Sequence, residues 1–99
     1  MKVINKKIRS KFFNEIVKGN KTFELRKEDD TRYEEGDYLI LNEIIADDFI
    51  TGRIIISQIG FVLRNFEGLS DNYAIISLKD MNYFDFSIKE NKNESIISS

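Results

Sequence analysis

The 99-residue sequence contains no histidine, cysteine, tryptophan or proline, and two of these absences remove whole classes of chemistry. Without cysteine there is no disulfide framework, no thiolate metal site and no thiol nucleophile. Without histidine, Ser-His and Cys-His catalytic arrangements are excluded, as are the usual zinc sites. A metal would have to bind to carboxylates alone, which suits only hard cations. We therefore expect neither a metal nor a cofactor.

Long apolar runs are also missing from the sequence. No segment approaches the roughly 18 consecutive apolar residues of a membrane span, and no charged-then-apolar leader opens the chain. The hydrophobic content of 41% is typical of a globular protein, and a chain of this length can bury a usable core. These features predict one soluble, cytoplasmic domain that does not bind membranes.

The formal net charge of −2 conceals a strong segregation of charge along the chain. Residues 1–27 carry nine basic side chains and two acidic ones, a balance of +7. Residues 28–50 carry nine acidic side chains and one basic one, a balance of −8. Either these segments pair on folding and cancel the field, or they leave a basic face and an acidic rim. The net charge itself is not that of a general nucleic-acid binder.

The hydrophobic pattern predicts one early helix followed by strands. Ser10 is a suitable N-cap residue, and Gly19 is suited to end the helix in the left-handed conformation. An almost continuously apolar run over 37–45 predicts a strand that is buried on both faces, and Gly60 predicts a bulge or bend in a later strand. The predicted elements are a weak strand over 2–8, a helix over about 10–18, and strands over 21–27, 37–45, 53–63 and 73–78.

Because no helices separate the later strands, the sheet should be mainly antiparallel. The predicted fold class is α+β: a small, mainly antiparallel β-barrel with one N-terminal helix packed beside it. We assign residues 1–80 to this domain and residues 81–99 to a C-terminal extension. The extension is predicted to hold either a last strand or a packed tail over 82–86, followed by a frayed end.

The stretch from Gly19 to Arg26 is the most informative part of the sequence. It stops a helix and starts a strand in which Glu24 and Arg26 are two residues apart, and therefore lie on one face. Lys21 stands at the start of that strand. Placed in a cleft, these side chains would offer a cation for phosphate, an acceptor for a base edge and a planar donor.

This stretch resembles the G-x-K-x-x-E-x-R signature of ASCH domains, which belong to the PUA-like superfamily. The resemblance covers roughly residues 4–78 and is closest to a small phage- and prophage-associated ASCH-like family of unknown function. It implies a PUA-like barrel with a pocket near the start of the signature strand, and RNA or modified-nucleotide recognition. Further matching blocks are Phe12-Phe13, Gly36-Asp37, Thr51-Gly52-Arg53, Phe61-Val62-Leu63, Gly68-Leu69 and Tyr73-Ala74-Ile75-Ile76.

The sequence also departs from the family pattern. The family's amino-terminal His is Ile4 here, and the Pro that begins the family's helix is Ser10. In related amidohydrolases that act on acetylated cytidine, a Thr nucleophile occupies the position of Glu24. These departures favour binding over catalysis.

Our leading hypothesis is therefore a module that binds RNA or a nucleotide. Glu24 and Arg26 have a structural alternative, a salt bridge that closes the barrel. Arg53 is expected to line the same cleft; the alternative is an exposed arginine on a strand. The ring of Tyr73 either stacks on a base or lies in the core. The candidate binding residues are Lys21, Thr22, Glu24, Arg26, Arg53 and Tyr73.

Two other functions remain open from the sequence. One is hydrolysis of a modified nucleoside, or a weak ribonuclease activity, with Lys21, Glu24 and Glu43 as the catalytic candidates. The other is a phage-encoded interaction module whose acidic segment, residues 28–50, occupies the nucleic-acid site of a host protein.

Overall fold

Five strands and one α-helix make up the computed structural model, which describes residues 1–87. Among these residues, no helix has the length and apolar character needed to cross a membrane. The elements are β1 (Val3–Arg9), α1 (Ser10–Val17), β2 (Phe23–Lys27), β3 (Tyr38–Ile45), a 3-10 turn (Ala46–Asp48), β4 (Phe49–Leu63) and β5 (Tyr73–Asp85).

The strands form one curled, half-barrel sheet in the order β1-β3-β4-β5-β2. Three of the strand pairs are antiparallel, and β1 pairs in parallel with β3. The predicted α+β fold with a mainly antiparallel, barrel-like sheet and one helix is confirmed at this level. The parallel pair was not predicted. It is possible because α1, β2 and the loop after β2 supply the long crossover that parallel strands require.

The core lies on the concave side of the sheet, where α1 packs against the strands. Leu39 and Leu41 of β3 point into it and are fully buried, whereas Tyr38 is 36% exposed and Ile40 is half-buried. The prediction that this strand is buried on both faces is therefore wrong. Within residues 1–87 a helix covers the concave face only, and the convex face has no second layer. The buried apolar cluster comprises Ile4, Ile8, Phe13, Ile16, Tyr33, Leu39, Leu41, Ile55, Ile59, Ile76 and Leu78.

Strand β2 reverses the usual alternation of an amphipathic strand. Its apolar residues Phe23 and Leu25 are 47% and 52% exposed, whereas Glu24 is only 4% exposed and Arg26 is half-buried. The polar face of this strand therefore points into the barrel, where each charged group needs a partner. Those partners define the candidate site described below.

The start of helix α1 differs from the prediction, whereas its end agrees with it. Ser10 is the first helical residue, not the N-cap, and its hydroxyl donates to the Glu43 carboxylate at 2.8 Å. The predicted Ser10 cap is therefore wrong, because a buried acceptor on β3 takes the hydroxyl instead. At the other end Gly19 has φ 83°, and its N–H donates to the carbonyl of Ile16 at 2.9 Å. This confirms the predicted left-handed stop.

The long strands β4 and β5 form the back of the half-barrel. The register between them shifts from Ile59 to Val62, which confirms the predicted irregularity at Gly60. Strand β5 runs without interruption through residues 81–85, and its Tyr83 ring packs edge-on against Phe13 at 6.0 Å between centroids. The remainder of the predicted C-terminal extension, residues 88–99, lies outside the described residues.

Adjacent phenylalanines on α1 provide a test of this packing. Phe13 is fully buried and its neighbour Phe12 is 42% exposed. Phe13→Ala should lower the free energy of unfolding by about 3–5 kcal/mol, because it leaves a cavity in the core. Phe12→Ala should cost less than about 1 kcal/mol. Urea denaturation followed by circular dichroism measures both; equal losses would contradict the helix orientation.

Candidate functional site

The two edge strands of the half-barrel, β1 and β2, border a cleft of about 690 Å³. Helix α1 and the end of β3 complete its walls. The cleft is lined by Lys7, Ile8, Arg9, Phe12, Glu15, Asn20, Lys21, Phe23, Glu24, Leu25, Arg26, Ile44 and Asp48. Three of the candidate residues from the sequence, Lys21, Glu24 and Arg26, are thus brought together in one cavity.

Glu24 is the central polar group of this cleft. Its Oε1 accepts a hydrogen bond from Lys21 Nζ, and its Oε2 accepts one from Arg26 Nε at 2.8 Å. The carboxylate is 4% exposed, so these two cations supply the charge balance that a buried anion requires. They also fix the orientation of the carboxylate in the wall of the cleft.

Arg26 joins the two edges of the half-barrel. While its Nε binds Glu24, its Nη2 donates to the backbone carbonyl of Lys7 on β1 at 2.7 Å. Strands β1 and β2 stand at opposite ends of the strand order, so this side chain makes a connection where the sheet has no ladder. The Glu24–Arg26 pair therefore both bridges the two edges of the half-barrel and lines the cleft, so the structural and the ligand-binding interpretations are compatible.

Two aromatic rings lie near the Lys21 ammonium group. The ring centroids of Phe12 and Phe23 are 5.8 Å and 5.2 Å from Lys21 Nζ. Lys11 Nζ also lies over the Phe12 ring, 4.9 Å from its centroid. Both rings are nearly half exposed, so part of each ring surface is open to solvent. The cleft therefore combines aromatic surface with charge.

The outer wall of the cleft carries two more cations. Lys7 Nζ is 3.9 Å from an oxygen of Asp48, which is a loose surface pair. Arg9 is exposed and has no acidic partner within 4 Å among residues 1–87. Both cations are accessible to an anion that enters from solvent.

Arg53 belongs to a second polar cluster and is not among the residues that line the cleft. It binds the buried Glu43 carboxylate through Nε at 2.7 Å and through Nη2 at 2.6 Å, and its Nη2 also donates to Asn14 at 2.7 Å. The guanidinium group lies 4.8 Å from the Phe13 ring. The expectation that Arg53 shares the cleft is thus corrected: Glu43 on β3 and Asn14 on α1 bind its guanidinium group outside the cleft.

Glu43 has no capacity left for chemistry. Its oxygens accept four hydrogen bonds, two from Arg53, one from Ser10 at 2.8 Å and one from Thr51 at 2.6 Å. The Arg53 hydrogen bonds, opposed by burial and aided by the two hydroxyls, lower the pKa of Glu43 to about 2. A carboxylate of this kind is a weak base and a structural anchor.

Two other candidates also lie apart from Glu24. Tyr73 is half-buried and pairs with Lys27 at the far end of β2, beside a separate polar depression. Thr22 is exposed, and its backbone carbonyl accepts from the Leu78 N–H at 3.0 Å. Neither residue is part of the cleft lining.

Most carboxylates of the acidic segment pair with basic groups instead of forming a free acidic face. Of the nine acidic residues in 28–50, six have a basic partner within 4.0 Å in residues 1–87. Three of these pairs join the acidic segment directly to the basic segment. They are Lys2–Asp37, Lys6–Asp30 and Lys7–Asp48.

A third ion pair, which the sequence pattern did not reveal, joins the segment 28–36 to the residue that follows β4. Arg64 binds Glu28 through two hydrogen bonds, of 2.7 Å and 2.9 Å, and also donates to the carbonyl of Tyr33. The Arg64 hydrogen bonds lower the pKa of Glu28. Tyr33, which is fully buried, anchors this loop to the core. As the sole aromatic residue in 28–36, it was the signal that could have revealed the anchor.

The described part of the chain offers no cluster of three or more acidic side chains arranged to hold a metal ion.

The low pKa of Glu43 predicts a specific acid sensitivity. A carboxylate whose pKa falls from 4.5 in the unfolded chain to about 2 in the folded one stabilises the fold above pH 4.5. That stabilisation, about 3 kcal/mol, is lost as the pH falls from 4.5 to 2. Glu43→Gln should therefore be less stable at pH 7 and lose less stability on acidification than the unmodified protein.

Chemical denaturation at several pH values between 7 and 2 measures this difference. Glu34→Gln is the matched control, because Glu34 is 60% exposed and its nearest cation is 4.0 Å away. The control should follow the unmodified protein at every pH. If Glu43→Gln also did so, Glu43 would not be the acid-sensitive anchor.

Taken together, the described residues define a small α+β protein whose half-barrel has a charged and aromatic cleft between its edge strands. A family model described as a domain of unknown function, DUF3850, matches residues 4–78, and the chain belongs to this family. The matched range contains every residue that lines the cleft. A comparison with curated proteins finds no match.

Proposed function

We propose that this protein is an ASCH-like module of the PUA-like type that binds RNA or a nucleotide in the cleft between β1 and β2. One observation carries the proposal: the cleft joins partly exposed aromatic rings, an arginine with no acidic partner among residues 1–87, and a buried, fixed carboxylate. Its volume of about 690 Å³ lies within the range of about 300–1,000 Å³ that is common for small-molecule sites.

Each group has a role that its position supports. Phe12 and Phe23 provide stacking surface for a base. Arg9 and Lys7, on the outer wall, contact phosphate. Lys21 keeps donor capacity toward the ligand, because an ammonium group has three N–H donors and Glu24 is the acceptor for one.

The residues placed elsewhere take no direct part in this proposal. Arg53 and Glu43 hold α1 on the sheet, and Tyr73 stands at another depression. Thr22 acts through its backbone, which ties the start of β2 to β5.

The rival functions have less support. For hydrolysis, Lys21 and Glu24 share the cleft, but Glu43 is outside it and fully hydrogen-bonded. For an interaction module acting through residues 28–50, most of the carboxylates in that segment already bind cations of this chain. The observations therefore favour binding of a nucleotide ligand over both.

Titration with short single-stranded RNA and with mononucleotides, at low and moderate salt, tests the proposal. Lys7→Ala/Arg9→Ala removes two exposed cations of the cleft and leaves the Glu24 network intact. RNA binding should weaken, and the slope of log affinity against log salt should fall by about 1–1.5, because each phosphate contact contributes about 0.7. Lys21→Ala/Arg26→Ala should abolish binding, provided that circular dichroism shows a folded protein.

The control is Lys18→Ala/Arg32→Ala, which removes the same charge. Both side chains are about two-thirds exposed and neither lines the cleft. This control should bind like the unmodified protein. Absence of binding to every RNA and nucleotide, or equal weakening in the control and the Lys7/Arg9 variant, would refute the proposal.

A further inference from the structure

Glu24 and Glu43 are two buried carboxylates of the same sheet that differ in one respect. Within residues 1–87, Glu43 accepts four hydrogen bonds, whereas Glu24 accepts two, one at each oxygen. An ionised carboxylate has about four lone-pair sites. Glu24 therefore retains one unused acceptor site at each of its two oxygens.

These unused sites belong to a cleft and not to a closed core. Glu24 is part of the cleft lining, and its side chain retains 6% exposure. Two cations from the same strand region, Lys21 and Arg26, keep its plane fixed. The cleft therefore presents two adjacent acceptors in a fixed orientation, with the Phe12 and Phe23 rings nearby.

We infer that the cleft selects guanine, whose ring N1–H and exocyclic amino group donate side by side to the Glu24 carboxylate. This inference rests on the proposed function, because it names the base that the same cleft accepts. Guanine is the common base that presents two adjacent donors on its pairing edge. Adenine and cytosine place a ring-nitrogen acceptor beside the amino donor, and uracil flanks one donor with two acceptors.

An acceptor on the base that faces a carboxylate oxygen is repelled and remains unpaired in a desolvated site. A bidentate pair between a side chain and a base commonly discriminates by about 1–3 kcal/mol. The carboxylate thus selects both by attraction to guanine and by rejection of the other bases.

Calorimetric titration with the 5′-monophosphates of guanosine, adenosine, cytidine, uridine and inosine tests the inference. The guanosine nucleotide should bind at least about 10-fold more tightly than the adenosine, cytidine and uridine nucleotides. Inosine keeps the ring N–H and lacks the amino group, so its nucleotide should bind with intermediate affinity. Equal binding of the guanosine and inosine nucleotides would overturn the two-donor contact.

The variant Glu24→Gln tests the residue itself, because a carboxamide offers one acceptor and one donor in the same shape. Its preference for the guanosine nucleotide should disappear. Retention of that preference in a folded variant would overturn the role of Glu24. If the variant does not fold, the guanosine–inosine comparison on the unmodified protein still decides.

The outcomes separate this inference from the proposed function. Equal affinity for all the nucleotides, or preference for another base, would overturn guanine selection and leave nucleotide binding standing. Absence of binding to any nucleotide and to RNA would overturn both.

Discussion

The ion-paired carboxylate of Glu24 is the constraint around which the open side of this half-barrel is organised. A buried anion must be neutralised within a few ångströms, and the two cations that do so come from its own strand region. One of them, Arg26, extends beyond the carboxylate to the backbone of β1. The need to neutralise the buried Glu24 carboxylate thus positions Arg26, which connects β1 and β2 although these strands do not pair with each other.

A second buried carboxylate, on β3, performs a different task in the same sheet. Glu43 binds Arg53 and hydroxyls from α1 and β4, so its cluster attaches the helix to the strands. All of its acceptor sites are occupied, so it acts as an anchor in the fold. Both carboxylates are buried, but they differ in how many of their hydrogen-bond acceptor sites are occupied. A carboxylate with all sites occupied is an anchor, whereas one with open sites can receive a ligand.

The hydrophobic periodicity of the sequence was sufficient to predict the types of the elements and most of their bounds, because alternation and turn residues are local signals. It also placed Lys21, Glu24 and Arg26 together, since two of them share a strand face and the third precedes it. It could not locate Arg53, because the partner that captures it, Glu43, is ten residues away on another strand. The parallel pairing of β1 and the burial of Tyr33 likewise depend on contacts that are distant in sequence.

The strand order has a consequence for how the cleft comes into being. Its two walls belong to strands whose partners are far along the chain: Val3 pairs with Tyr38, and Phe23 pairs with Ser77. Such long loops must close before these contacts form, which is entropically costly and slow. The cleft therefore exists only where β1 has paired with β3 and β2 has paired with β5. A molecule that spans both walls would bridge the two ends of the strand order.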